Sequence, residues 1–262
     1  SSSRLAVKMF DARGRNGDVS LDAVIWEVYV LRQLRGHSNI VKLCDVVELA
    51  DAVVYVVMER IEGPDLQDFI RAQPGGVCSE GEARRFFRHI LAALNHAHTR
   101  GFLHCDLKPA NVRLSTSGHD GRMTAVVVDW GLARHIEKQP PCLTMGTAYY
   151  ASPEQLTGYN ADLAWGRAKL GPPADVWSLG ATLYEMLAGR IPFDGATREE
   201  LVANVLSLNY DTRPDVLSVQ ARQLIDSMLQ VLPCDRAHLY ELYRDPWTTA
   251  DGPMPADTDS VP

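Results

Sequence analysis

The sequence predicts an α+β fold in which a β-rich amino-terminal part precedes a larger, mainly helical part. Three observations carry that prediction. The runs Leu5-Ala6-Val7-Lys8-Met9-Phe10 and Tyr55-Val56-Val57-Met58 read as strands. A Gly63-Pro64 break closes the second run. Beyond it, apolar residues recur at helical spacing over two long stretches.

The elements follow in order. Between the two strands, Ala23 to Leu31 opens a helix with Trp26, Val30 and Leu34 at helical spacing and Glu27 among them. After the break, Gly81 to Thr99 places Ala83, Phe86, Phe87, Ile90, Leu91 and Leu94 on one face and Arg84, Arg85 and Arg88 on the other. Ser79-Glu80-Gly81-Glu82 is a capped start for that helix. His96 and His98 flank its apolar positions and read as packing residues. Asp175-Val176-Trp177-Ser178-Leu179-Gly180, continued by Leu183, Leu187 and Ile191, reads as a central buried helix.

The chemistry lies in three blocks: His104-Cys105-Asp106-Leu107-Lys108-Pro109-Ala110-Asn111, then Asp129-Trp130-Gly131, then Ser152-Pro153-Glu154. In order and spacing they resemble the eukaryotic protein kinases, serine/threonine type, from Arg4 to about Thr249. That resemblance implies a bilobal fold: a small lobe over residues 1–58, a hinge over 59–65, a large lobe over 66–249 and a disordered tail over 250–262. It implies ATP and Mg²⁺ as cofactors and a protein carrying the target Ser or Thr as substrate.

The resemblance also assigns roles. Asp106 would accept the proton of the substrate hydroxyl, and Lys108 would neutralise the transferring phosphoryl group. Asn111 and Asp129 offer the oxygen donors that Mg²⁺ prefers. Thr147, in Gly146-Thr147-Ala148-Tyr149-Tyr150, joins this catalytic set. Lys8 resembles the phosphate-binding lysine, paired with Glu27. Met58 would be the gatekeeper, the backbones of Glu59 and Ile61 would meet the adenine edge, and Asp65 would meet the ribose or a basic substrate residue. Asp175 would brace the catalytic loop, and Glu154 with Arg236 would form a buried ion pair. The large lobe, including Tyr184 to Phe193, is most similar to the calmodulin-dependent and AMP-activated kinase group.

Several positions depart from the family pattern. The glycine-rich loop expected before Lys8 is missing from the sequence, and Gly14 to Gly17 lie after the lysine. A small-lobe sheet of about three strands is therefore expected, in an incomplete gene product or a trimmed chain. Cys105 stands where most kinases carry an arginine, and Leu143, beside Thr144, stands at the usual phosphosite. His-Cys-Asp occurs in the dual-specificity tyrosine-regulated kinases, and Asp-Trp-Gly-Leu-Ala resembles casein kinase II. Arg113 replaces the large apolar residue under the adenine, where it would stack on the base or fill the pocket with charge. The stretch from Tyr159 to Pro173 is longer than usual.

Composition bounds the rest. A chain of 262 residues, 46% hydrophobic, can bury a large core. A formal net charge of -7 argues against nucleic acid as the main partner. No segment resembles a signal peptide or an apolar membrane span. Five cysteines without a framework or zinc spacing point to a reducing compartment, the cytoplasm or the nucleus. Glu185, Asp65 and Glu62 would give a peptide groove a negative field that favours basic substrates. An active kinase leads. A pseudokinase scaffold, carried by Arg113 and the missing loop, and a small-molecule kinase stand as alternatives, with any regulatory partner open.

Overall fold

The computed structural model describes residues 5–11, 21–49, 53–116, 121–137, 146–158, 170–213 and 215–254. The readings placed on Gly14 to Gly17, on Leu143 and Thr144, on residues 159–169 and on residues 255–262 lie outside them.

Strands β1 (Leu5–Asp11), β2 (Leu43–Leu49) and β3 (Val53–Glu59) form an antiparallel sheet in the order β1-β3-β2. Three strands among the described residues match the expected small sheet. Lys8 lies opposite Val56, and Ala6 opposite Met58. Side chains alternate across a sheet, so one face carries Phe10, Val54 and Val56 onto Val24 and Val28 of helix α1 (Leu21–Gln33). A second stripe of α1, Val30 and Leu31, joins Leu34 in the larger core. One helix thus seals two hydrophobic clusters.

That larger core is built on α3 (Glu80–Thr99), α5 (Pro172–Ala188) and α7 (Val219–Met228). Helix α3 starts where its sequence says: Ser79 and Glu82 form the reciprocal capping box. Phe86, Phe87, Ile90, Leu91 and Leu94 are fully buried, each contributing roughly 1.5–3 kcal/mol of apolar transfer. Helix α5 is buried from Ala174 to Ala188, with Asp175, Ser178, Thr182 and Glu185 among otherwise mainly apolar residues. Short ladders pair β4 (Phe102–Leu103) with β7 (Arg134–His135), and β5 (Val112–Ser115) with β6 (Thr124–Val127). Backbone bonds Val41 N to Val127 O (3.0 Å) and Val127 N to Asn39 O (2.8 Å) stitch β6 to the segment after α1.

Two of the arginines on the opposite face of α3 hold backbone carbonyls. Arg84 Nε donates to Trp247 O at 2.6 Å, and Arg88 donates to Gly252 O and Pro253 O, both at 2.8 Å. The tail read as disordered from Ala250 is therefore held against α3 as far as Pro253. Exposed carbonyls near a chain end are invisible to periodicity.

Candidate active site

Two non-glycine residues in the loops at the cleft adopt positive φ: Cys105 at 66° and Asp129 at 59°. Left-handed backbone at such residues is strained by about 1–2 kcal/mol and persists only where neighbours over-determine it. At Cys105 the determinants are visible. Asp175, fully buried at the start of α5, accepts from His104 N at 2.8 Å and Cys105 N at 2.9 Å. The expected brace is there. His98 Nε2 adds a contact to Asp175 at 2.7 Å, a role that reading it as packing missed. Burial pushes the Asp175 carboxyl up, but His98 and the His104 amide outweigh it and hold it below the usual carboxylate value.

His104 is equally fixed. Its Nε2 faces Val128 O at 3.2 Å, an acceptor only, so Nε2 carries the proton and Nδ1 accepts from Asp106 N at 3.3 Å. Its ring packs on the fully buried Trp130, with centroids 4.6 Å apart.

The sequence-predicted residues Asp106, Lys108, Asn111 and Thr147 meet in one knot. Asp106 Oδ1 accepts from Thr147 N at 2.7 Å, and Oδ2 from Lys108 Nζ at 2.9 Å and Asn111 Nδ2 at 3.0 Å. Lys108 Nζ also donates to Thr147 Oγ1. Burial raises the Asp106 carboxyl, yet the Lys108 and Thr147 hydrogen bonds prevail and leave it below its ordinary value. Gly146, at φ 85°, is required here: a Cβ would stand 2.8 Å from Cys105 O and 3.3 Å from Asp106 Oδ1.

A cleft of about 550 Å³ carries a second charged group on its lining. Lys8 Nζ sits 3.1 and 2.9 Å from the two Glu27 oxygens and 3.4 Å from Asp129 Oδ1. Glu27 is buried, whereas the Asp129 side chain is half exposed to the cleft. Burial lowers the Lys8 ammonium, but Glu27 and then Asp129 raise it further, so it stays charged above its ordinary value. Trp26, next to Glu27, donates its indole N–H to Ala133 O at 2.7 Å, which ties α1 to the segment that follows Asp129. No sequence signal marked that bond.

Leu5, Ala6, Val41 and Val128 make the apolar walls, and Met58, Glu59 and Ile61 form the back edge. Arg113 lines the cleft, but its guanidinium turns toward the chain after β3: Nη2 donates to Gly63 O, and Nη1 lies 3.9 Å from Asp65. Arg113 thus also clasps that loop, which β5 holds as well through Leu114 N to Pro64 O at 2.9 Å. Asp65 is not among the cleft-lining residues; its Oδ1 caps helix α2 (Leu66–Ala72) through Asp68 N at 2.8 Å.

Glu154 and Arg236 form the expected pair in bidentate geometry, both contacts at 2.7 Å. Glu185 differs from the sequence reading. It is buried and accepts the Tyr150 hydroxyl at 2.6 Å, and burial raises its carboxyl above the ordinary value. It anchors the Tyr150 side chain, while Ser178 Oγ holds the Tyr150 carbonyl at 2.9 Å.

A cleft lined by aliphatic side chains and a lysine–carboxylate pair, with an aspartate knotted to a lysine and an amide on the loop bonded to its Val128 edge, has the groups to bind a polyphosphate and orient a hydroxyl. Residues 1–248 match the protein kinase domain family, and the chain belongs to it. It is 35% identical over 226 residues to a probable serine/threonine-protein kinase MARK-C of Dictyostelium discoideum, covering 84% of this chain and 27% of that protein. It is 35% identical over 250 residues to sperm motility kinase 2B of Mus musculus (95% and 47%). It is also 35% identical over 239 residues to a carbon catabolite-derepressing protein kinase of Candida tropicalis (90% and 36%). The chain spans less than half the length of these curated relatives.

Proposed function

We propose that this chain is the catalytic domain of an ATP-dependent serine/threonine protein kinase that transfers the γ-phosphoryl group to a protein hydroxyl. One observation carries the reading: the Asp106–Lys108–Asn111–Thr147 knot is tied through Asn111 O, which accepts from Val128 N at 2.9 Å, to the segment whose Asp129 joins Lys8 and Glu27 on the lining of one cleft. In this reading residues 1–58 are a small lobe, 59–65 a hinge and 66–249 a large lobe.

The donor set fits a hard divalent cation. Asp129 offers a half-exposed carboxylate, and the Asn111 amide nitrogen is committed to Asp106, which leaves its oxygen for a metal. Asp129 and Asn111 would hold the ion, and Mg²⁺ usually takes its remaining ligands from water and substrate phosphates. When bound, Mg²⁺ offsets charge on the phosphates.

The chain's own residues do the rest. Lys8, kept charged by Glu27, meets the phosphates opposite the hinge. Ala6, Val41 and Val128 enclose the base and exclude water. Asp106, held ionised, is a weak base; it orients the substrate hydroxyl first and takes its proton late, as a loose phosphoryl transition state permits. Lys108 lies between Asp106 and Thr147, where it can follow the charge to the transferred group. Among the described residues no helix is long and apolar enough to cross a membrane.

The test is ADP release and peptide phosphorylation by the full-length protein beside its Asp129→Asn variant. Asn keeps the size and tolerates positive φ, so the fold should survive while turnover drops below detection. Unchanged turnover in Asp129→Asn would overturn the assignment.

A further inference from the structure

We propose that Gln155 is a positioning residue for the reaction: its side-chain amide fixes the Cys105–Asp106 peptide, and so the aim of Asp106, through a bond that needs no charge. The inference rests on the kinase reading above and concerns the regulation of the same site.

Gln155 lies in α4 (Pro153–Thr157) and is 1% exposed. Its Nε2 donates to Cys105 O at 2.9 Å, and its Oε1 accepts from Ser152 N at 3.0 Å and Ser152 Oγ at 3.1 Å. A buried amide with both ends engaged has one orientation. Asp175 holds only the amino side of Cys105. The carbonyl side, which is the peptide plane shared with Asp106, is held by Gln155.

That plane matters because Cys105 is in the left-handed region. If its carbonyl swings free, the ψ of Cys105 relaxes, Asp106 N leaves His104 Nδ1, and the Asp106 carboxylate leaves Thr147 N. A misplacement of about 1 Å at a reacting group is worth about 100-fold in rate. The donor is itself anchored, since the preceding residue is Glu154, clamped on Arg236. Gly146 leaves that carbonyl room, since a Cβ there would stand 2.8 Å from it.

The Cys105 side chain is buried and presents no cation, so residue 105 cannot grip a phosphate on the preceding segment. The neutral Gln155 bond links α4 to Asp106 with or without phosphate. Turnover should therefore persist after phosphatase treatment.

The variant Gln155→Glu tests the bond. It keeps the acceptor oxygen for Ser152, replaces the N–H given to Cys105 O by a carboxylate oxygen, and adds a charge that Gln155→Met does not. In the full-length protein kcat should fall about tenfold or more near pH 8, with the ATP KM within about twofold, because a buried carbonyl then faces a carboxylate. Burial raises such a carboxyl, so towards about pH 6 it regains a proton to donate, and the ratio of variant to wild-type kcat should climb. Asp106, Lys108, His98, Asp175, Glu154 and Arg236 are common to both proteins and cancel in that ratio. Gln155→Met, with no proton to give or regain, should show a low and pH-independent ratio.

An unchanged kcat in Gln155→Glu, or in Gln155→Met where the glutamate variant does not fold, overturns the proposal. So does loss of most wild-type activity on phosphatase treatment. Asp106→Asn runs alongside: if it turns over normally, the kinase reading fails, whereas a silent Asp106→Asn beside a normal Gln155→Glu refutes Gln155 alone.

Discussion

Removing the charge of Glu154 tests whether the ion pair beneath the cleft holds the fold. Arg236 is 3% exposed, and its guanidinium group gives two contacts of 2.7 Å to Glu154. It also donates to Gln230 O at 2.7 Å, Pro173 O at 2.8 Å and Val231 O at 3.1 Å, and lies 5.2 Å over the Trp177 ring. Breaking a buried pair by removing one partner costs about 3–5 kcal/mol, chiefly because the other charge stays buried. After Glu154→Gln the guanidinium keeps three carbonyls, so the lower figure applies; after Arg236→Met a carboxylate and three carbonyls are orphaned, and the upper one does. At about 2–4 °C per kcal/mol for a domain of this size, Tm should fall about 6–12 °C in the first variant and about 10–20 °C in the second. The double variant Glu154→Leu/Arg236→Met should recover part of the loss, since no charge is left buried. Arg71 and Asp68, 3.9 Å apart and mostly exposed, are the control, and Arg71→Gln should shift Tm by less than about 2 °C. Scanning calorimetry or circular dichroism reads all four. A Glu154→Gln shift as small as the control, or a double variant no better than Arg236→Met, refutes the reasoning.

Asp106 gives a pH prediction. Its folded pKa lies below the ordinary carboxylate value, so its contribution to stability is present above the unfolded value and is lost as pH falls through the lower folded one. Lys108→Met removes the leading stabilising bond while burial remains. The acid limb of kcat/KM should then move to higher pH, and an unmoved limb would mean that Lys108 does not hold the charge. Gly63 gives a conformational prediction. It sits at φ 151°, and a Cβ there would lie 2.0 Å from Leu114 O, so Gly63→Ala must peel the loop off β5. Gly121, at φ 72° with nothing within 4 Å, separates backbone strain from collision. Gly121→Ala should lose about 1 kcal/mol with ATP KM unchanged, and Gly63→Ala more than about 2 kcal/mol with KM raised several-fold; equal effects on KM would argue against a hinge role.

What the sequence shows is whatever depends on neighbours along the chain. Ser79 and Glu82 announce the start of α3, and the apolar stripe from Ala83 to Leu94 is its buried face, because both follow from a period of 3.6 residues. The knot at Asp106 is legible as well: Lys108 and Asn111 are two and five residues away, on a loop too short to separate them. What stays hidden are side chains that give their protons to distant backbone oxygens. Trp26 on Ala133, Gln155 on Cys105 and Arg88 on Pro253 each recognise a carbonyl, and every residue type has one, so no letter in the sequence marks the acceptor. Glu185 misleads for the reverse reason. Its letter says charge, while the fold buries it under Tyr150.

The hidden bonds decide whether the legible residues can act together. Helix α1 contributes Val24 and Val28 to the small cluster and Val30 and Leu31 to the large one, so it cannot shift without opening both. The same helix carries Glu27, which holds Lys8, and Trp26, which holds Ala133, four residues beyond Asp129. Cores packed this tightly have discrete arrangements instead of a continuous range. The Lys8–Glu27 pair and the Trp26 bond therefore rest on one packed helix, so a displacement of α1 would disturb both.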